Sequence, residues 1–140
     1  MNQPMHWATD LIGRPYRRGA HGPDAFDCWG LVRHVFAQIH GIDMPVIEVG
    51  QLDDATLDNV AAIKRAAATS GWKPSADAAP RENDIVLMDG IEGRHVGVMV
   101  AANGALLLLH CLEQVGVCVE PLADLPRAGF HGFAFWRRAP

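Results

Sequence analysis

The chain has 140 residues, 49% hydrophobic and 20% charged, with a formal net charge of −4. That is enough for one real core, so residues 1–140 read as a single domain. The acidic balance argues against a general nucleic-acid binder, and no apolar run approaches the roughly 20 residues that span a bilayer, so neither nucleic acid nor membrane is an expected partner.

Residues 4–12 read as a short first helix, with Pro4 near its start and Gly13 and Pro15 ending it. No basic start precedes an apolar stretch here, so no secretory signal is expected. The protein is then cytoplasmic on synthesis, or leaves by another route such as a particle released by lysis. Residues 13–27 carry Gly13, Pro15, Gly19, Gly22 and Pro23 and read as loop.

The pattern then changes. Leu31, Val32, Val35, Phe36 and Ile39 recur on one face of a helix, and Gly41 is a natural stop. Asp27 is a good N-cap, which sets Cys28 at the first helical position. Gly30 leaves the start of this helix open to close approach by another element or a substrate. Residues 41–50 are an irregular connection. Residues 54–70 are rich in helix formers, with Gly71 as their stop.

From Trp72 onward the period shortens. Asp84–Met88, Arg94–Ala101, Ala105–Leu112, Val115–Glu120 and Gly132–Arg137 read as strands, with turns at Asp89-Gly90, Asn103-Gly104 and residues 114–116. Helices followed by closely spaced strands imply α+β with an antiparallel sheet.

The chemistry centres on Cys28. A helix start favours a thiolate, but its contribution is typically below about 2 kcal/mol. Ionising a thiol of pKa about 8.5 at neutral pH requires roughly 3 kcal/mol, so an imidazole from elsewhere must supply the remainder. Its backbone N–H, unsatisfied in the first turn, suits an oxyanion. Pattern alone leaves open a buried, inert thiol.

Seven histidines are available. His95 alternates with valines and shares a strand face with Gly97 and Met99, as a base reaching into a cleft would. His110 ends an apolar strand and needs a polar partner. His95 is one candidate, each ring fixing the other's tautomer. A strand-end or satisfied core histidine is the alternative for each. Three cysteines do not make a disulfide framework, and at least one thiol should be free. Cys111 and Cys118 flank a hairpin turn and could be cross-strand neighbours. Cys28, His34, Cys111, Cys118 and His131 lack the paired close spacings of a zinc site, so no metal and no cofactor is expected.

Gly13-Arg14-Pro15-Tyr16, Gly19 and Phe26-Asp27-Cys28-Trp29-Gly30-Leu31-Val32 together resemble the nucleophile motif of the NlpC-type cell-wall cysteine peptidases. Asn83-Asp84-Ile85-Val86-Leu87 resembles the family's Gly-Asp-hydrophobic strand, and His95-Val96-Gly97-Val98 its base motif. His110 falls where a third polar residue is expected. The resemblance implies a papain-like α+β fold, with N-terminal helices packed against a central antiparallel sheet. It implies hydrolysis of peptidoglycan stem peptides, typically between D-glutamate and a diamino acid. Cys28 would be the nucleophile, His95 the base and His110 the orienting residue, with Tyr16 lining the cleft or assisting the oxyanion. Asn83 departs from the usual glycine, a change asparagine tolerates because it accepts left-handed geometry.

Trp29 stands where secreted members more often have serine. That and the missing signal resemble the subgroup encoded with bacteriophage tail genes, which implies tail proteins as partners and the virion tail as a location. Arg14, Arg17 and Arg18 precede the nucleophile and could hold stem-peptide carboxylates, with Trp29 beside them; a solvated charged loop is the alternative. A catalytically silent tail-assembly protein, or an amidase or acyltransferase on the same scaffold, are competing readings.

Overall fold

The structure is a computed structural model and describes residues 7–45, 64, 65, 67–77, 79–90 and 93–138. Among the described residues, helix α1 (Cys28–His40) precedes six strands: β1 (Trp72–Pro74), β2 (Ile85–Gly90), β3 (Gly93–Ala102), β4 (Ala105–Leu112), β5 (Gly116–Glu120) and β6 (His131–Arg138). The strands form one sheet in the order β1-β6-β2-β3-β4-β5, with every neighbour antiparallel.

Helix α1 begins and ends as its sequence dictates. The Asp27 side chain accepts from the Gly30 N–H at 2.6 Å, satisfying one of the orphan donors of the first turn. Gly41 takes the left-handed conformation at φ 67° and returns its N–H to the Phe36 carbonyl, closing the last turn as glycine can without strain. The face carrying Leu31, Val32, Val35 and Phe36 is almost wholly buried. It packs on β3 and β4, each such side chain contributing about 1.5–3 kcal/mol on leaving water.

The alternation in β3 divides the sheet into two faces. Val96, Val98 and Val100 join the core beneath α1. Met99 belongs to a second core with Val86, Met88, Leu108 and Leu125, flanked by Phe130, Phe133 and Phe135. The β3–β4 turn is a two-residue connection in which Asn103 and Gly104 both have positive φ, 53° and 76°, the pairing that matches strand twist. Asn83 also has positive φ, 73°. Its N–H bonds the Met99 carbonyl while Met99 N–H bonds Asp84, so the asparagine makes the turn that a glycine would have made. Asp84 is fully buried and is gripped bidentately by Arg137 at 2.8 and 2.7 Å.

Several sequence expectations need correcting. The first helix shrinks to a 3-10 turn, Trp7–Asp10, and residues 4–6 of that expectation lie outside the described residues. The physical reason lies just after it. Gly13 N–H bonds the Val117 carbonyl and Val117 N–H bonds the Arg14 carbonyl, so the chain is drawn out along the free edge of β5. The helix expected over 54–70 lies mostly outside the described residues; residues 64, 65 and 67–69 are helical, and Gly71 ends them at φ 91°. Strand β1 and a 3-10 segment at Leu122–Ala128 had no periodic signal, being a three-residue edge strand and a proline-containing turn.

Candidate active site

Cys28 opens α1 at the spot where the 13–27 loop folds back on itself. Two bridges hold that loop, Tyr16 with Phe26 and His21 with Phe26. Asp27 is their anchor, its N–H bonding the Ala20 carbonyl at 2.8 Å and its second carboxylate oxygen accepting from Gly19 at 3.1 Å. Gly30 is what permits the fit. A β-carbon there would overlap the Ala20 carbonyl oxygen and lie 2.8 Å from His21 Cα. The close approach expected at Gly30 is therefore made by the chain's own loop.

On the sheet side, the Cys28 sulfur meets the backbone N–H of Val96. Met99 N–H points toward β2, so by alternation Val96 N–H points toward β4. The β3–β4 pairing begins only at Val98 with Leu109. The two strands part beyond that pair, and the sulfur takes the amide that β4 leaves unpaired. It thus lies one peptide unit from His95.

His95 is held from behind. Its Nε2 is 3.0 Å from His110 Nδ1, and His110 Nε2 is 2.6 Å from Glu120 Oε2. Gly97 makes room for this arrangement, because a β-carbon there would come within 2.8 Å of Leu109 O and 3.0 Å of His110 Cβ. The Phe130 ring lies 5.2 Å from the His95 ring and 6.1 Å from that of His110, packing against the pair. The two histidines are thus partners, as expected, but the pair extends to a carboxylate that sequence reasoning missed. Glu120 stands opposite Leu108, two pairs along from His110 and Cys118 and so on the same face of the sheet. Counting back across the hairpin would have found it.

Burial governs the protonation of these groups. It pushes the Cys28 thiol up to about 12, with the Asp27 charge adding to it, against the N–H groups of Val96 and Trp29. Burial, with some help from His110, brings His95 down to about 3. His110 is also lowered by burial, while the Glu120 hydrogen bond and charge pull the other way. The sequence expectation of a thiolate at the helix start is therefore corrected: in the free protein the proton stays on sulfur and both rings are neutral, because desolvation outweighs the helix terminus.

Tyr16 is half-buried beside this site. Burial, then the charges of Cys28 and Asp27, push its hydroxyl up to about 12, so it keeps its proton and can donate. Arg14 is engaged locally, its Nη1 donating to the Pro23 carbonyl at 2.6 Å, while Arg17 and Arg18 are exposed. Trp29 does not line a cleft. It is 2% exposed, packs in the core beneath the sheet and donates Nε1–H to the Pro45 carbonyl. An indole one position past the nucleophile points inward because the helix turns about 100° per residue.

All three cysteines are free. Cys111 and Cys118 are not cross-strand partners, since Cys111 faces Val117 and Cys118 faces His110. Among the described residues, His110, Cys118 and Glu120 are the group whose ligand atoms lie within 4.8 Å of one another, the nearest approach to a metal-binding set.

The NlpC/P60 family model matches residues 13–124, which takes in Tyr16, Cys28, His95, His110 and Glu120. The chain belongs to the NlpC/P60 family. Its helix and six-stranded antiparallel sheet are the papain-like α+β fold of that family. The NlpC/P60 chain is similar to the crystal structure of the NlpC/p60 domain of peptidoglycan hydrolase SagA, at 25% identity and a TM-score of 0.55, over 91% of both chains. It also matches an N-acetylmuramoyl-L-alanine amidase from Bacteroides uniformis ATCC 8492, at 17% identity and a TM-score of 0.47, over 95% of this chain and 97% of that one. No curated protein matches the chain.

Proposed function

We propose that this NlpC/P60 chain is a cysteine peptidase that hydrolyses peptide bonds in peptidoglycan stem peptides, between D-glutamate and a diamino acid. The observation that carries this reading is the seating of the Cys28 sulfur on Val96 N–H, next in the chain to a histidine whose other ring nitrogen is already bound. His95 Nδ1 is then the nitrogen available to the thiol. SagA supplies the substrate class, as its domain is that of a peptidoglycan hydrolase.

The neutral resting pair dictates the order of events. As Sγ attacks the scissile carbonyl carbon, its proton passes to His95 Nδ1, so charge develops only in the transition state. The carbonyl oxygen becomes an oxyanion, facing the Cys28 N–H and the Tyr16 hydroxyl. His95 then gives its proton to the leaving amine, and the C–N bond breaks to leave a thioester. Water, losing a proton to His95, attacks the thioester carbon and releases the carboxylic acid and the thiol. Arg17 and Arg18, just ahead of the nucleophile in the chain, would attract the free carboxylates of the stem.

A role in a bacteriophage tail, acting on the wall during DNA entry, is proposed on motif resemblance. Trp29, which suggested it, also has a packing reason for its presence. Mass analysis of purified sacculi after digestion tests the enzymatic reading. Released fragments that begin at the diamino acid, with D-glutamate left as the new end of the glycan-bound stem, are expected from the intact protein and not from Cys28→Ala. Equal release by both would reject it.

A further inference from the structure

We propose that Glu120 is a positioning residue, which fixes the tautomers of His110 and His95 in series so that His95 presents a bare Nδ1 to the Cys28 thiol. This rests on the reading of His95 as the base. A carboxylate has only acceptors to offer. The 2.6 Å contact therefore requires a proton on His110 Nε2. A neutral His110 then has a lone pair on Nδ1, and the 3.0 Å contact requires His95 to donate from Nε2. The one remaining nitrogen, His95 Nδ1, is left unprotonated.

Without the carboxylate nothing enforces that order. His110 is fully buried, so bulk water cannot replace the lost acceptor. Cys118, directly across the strand pair from His110, is a poor substitute, because burial keeps it a thiol. The reverse order, with a proton on His95 Nδ1, makes His95 a donor toward sulfur and abolishes its use as a base. Glu120 keeps 33% of its side-chain surface exposed while its Oε2 reaches a fully buried ring.

The same three side chains could instead hold a divalent metal. A metal on His110 Nε2 would occupy the site of the proton that the series requires. The two cases are separable by chelation.

The test uses the full chain, treated with EDTA, and a soluble stem tripeptide. Glu120→Leu should lower kcat at least about 100-fold, the lower end of what a positioned base supplies, with KM unchanged. Glu120→Gln, which can accept or donate, should fall between Glu120→Leu and the parent. Nitrogen-15 spectra of histidine-labelled protein should show His95 protonated on Nε2 in the parent and on Nδ1, or on both in exchange, in Glu120→Leu. Urea unfolding monitors the fold of each variant. Parent activity that needs Cys28 and His95 but survives Glu120→Leu within threefold overturns the inference and spares the function. Ring nitrogens unchanged by Glu120→Leu overturn it too, and that readout stands even if the parent does not hydrolyse the peptide. Activity lost to EDTA, or a Cys118→Ser variant as impaired as Glu120→Leu, would assign the cluster to a metal and also overturn it.

Discussion

Replacing Gly30 with alanine is the sharpest test of how the site is assembled. In an ordinary helix this change stabilises by about 1 kcal/mol, because alanine loses less entropy. Here the new β-carbon would overlap the Ala20 carbonyl and crowd His21 Cα at 2.8 Å and Asp27 Oδ1 at 2.9 Å. Two of these are backbone atoms of a bridged loop, so they cannot rotate away. Relief requires the loop to lift, which strains or breaks the Asp27 N–H to Ala20 bond at 2.8 Å and the capping bond from Gly30 N–H at 2.6 Å. Each is worth about 1 kcal/mol, and overpacking adds about 1–3 kcal/mol. Against the helix gain, the net loss should be about 2–4 kcal/mol. Gly41→Ala is the comparator. It meets nothing within 4 Å but has φ +67°, so only the left-handed strain of about 1 kcal/mol applies. Urea midpoints measured with unchanged slopes give both values. Gly30→Ala as stable as the parent, or costing less than Gly41→Ala, would refute the steric account.

Further outcomes follow from the same geometry. Gly97→Ala should displace His110 by pressing on its Cβ and on Leu109 O, lowering kcat more than it lowers the urea midpoint. Equal kcat would mean that the ring has freedom the structure denies it. Alkylation of Cys28 by iodoacetamide in the free protein should still be accelerating above pH 9, since burial raises the thiol to about 12; a midpoint below 8 would show a preformed thiolate. Acid should destabilise the fold before carboxylates titrate. His95 is held near 3 in the fold and binds its proton near 6.5 when unfolded. The stabilisation is present above 6.5 and is lost as pH falls toward 3, amounting to roughly 1.5 kcal/mol between pH 6.5 and 5. Urea titrations of the parent and His95→Asn should differ by that amount, and parallel curves would contradict it.

What the sequence made legible was what short-range chemistry controls. The capped start at Asp27, the stop at Gly41, the Asn103-Gly104 hairpin and the facing of His95 and Gly97 follow from local conformational rules. The partnership of His95 with His110 was legible as two polar rings on apolar strands, each in need of the other. Three features were not. The thiol's protonation depends on desolvation by elements distant in sequence. Trp29 looked like a cleft residue because its neighbour is the nucleophile, but the helical turn sends it into the core. Glu120 carries no signal of its own at the end of its strand, because its meaning depends on register with β4.

The central claim is that the Cys28 sulfur itself takes up the acyl group, and intact-mass measurement of an acid-quenched reaction with stem peptide addresses it directly. The account predicts an adduct equal to the acyl half of the substrate, mapped to Cys28 and absent in Cys28→Ala. An adduct on another residue, or continued hydrolysis by Cys28→Ala, would contradict it.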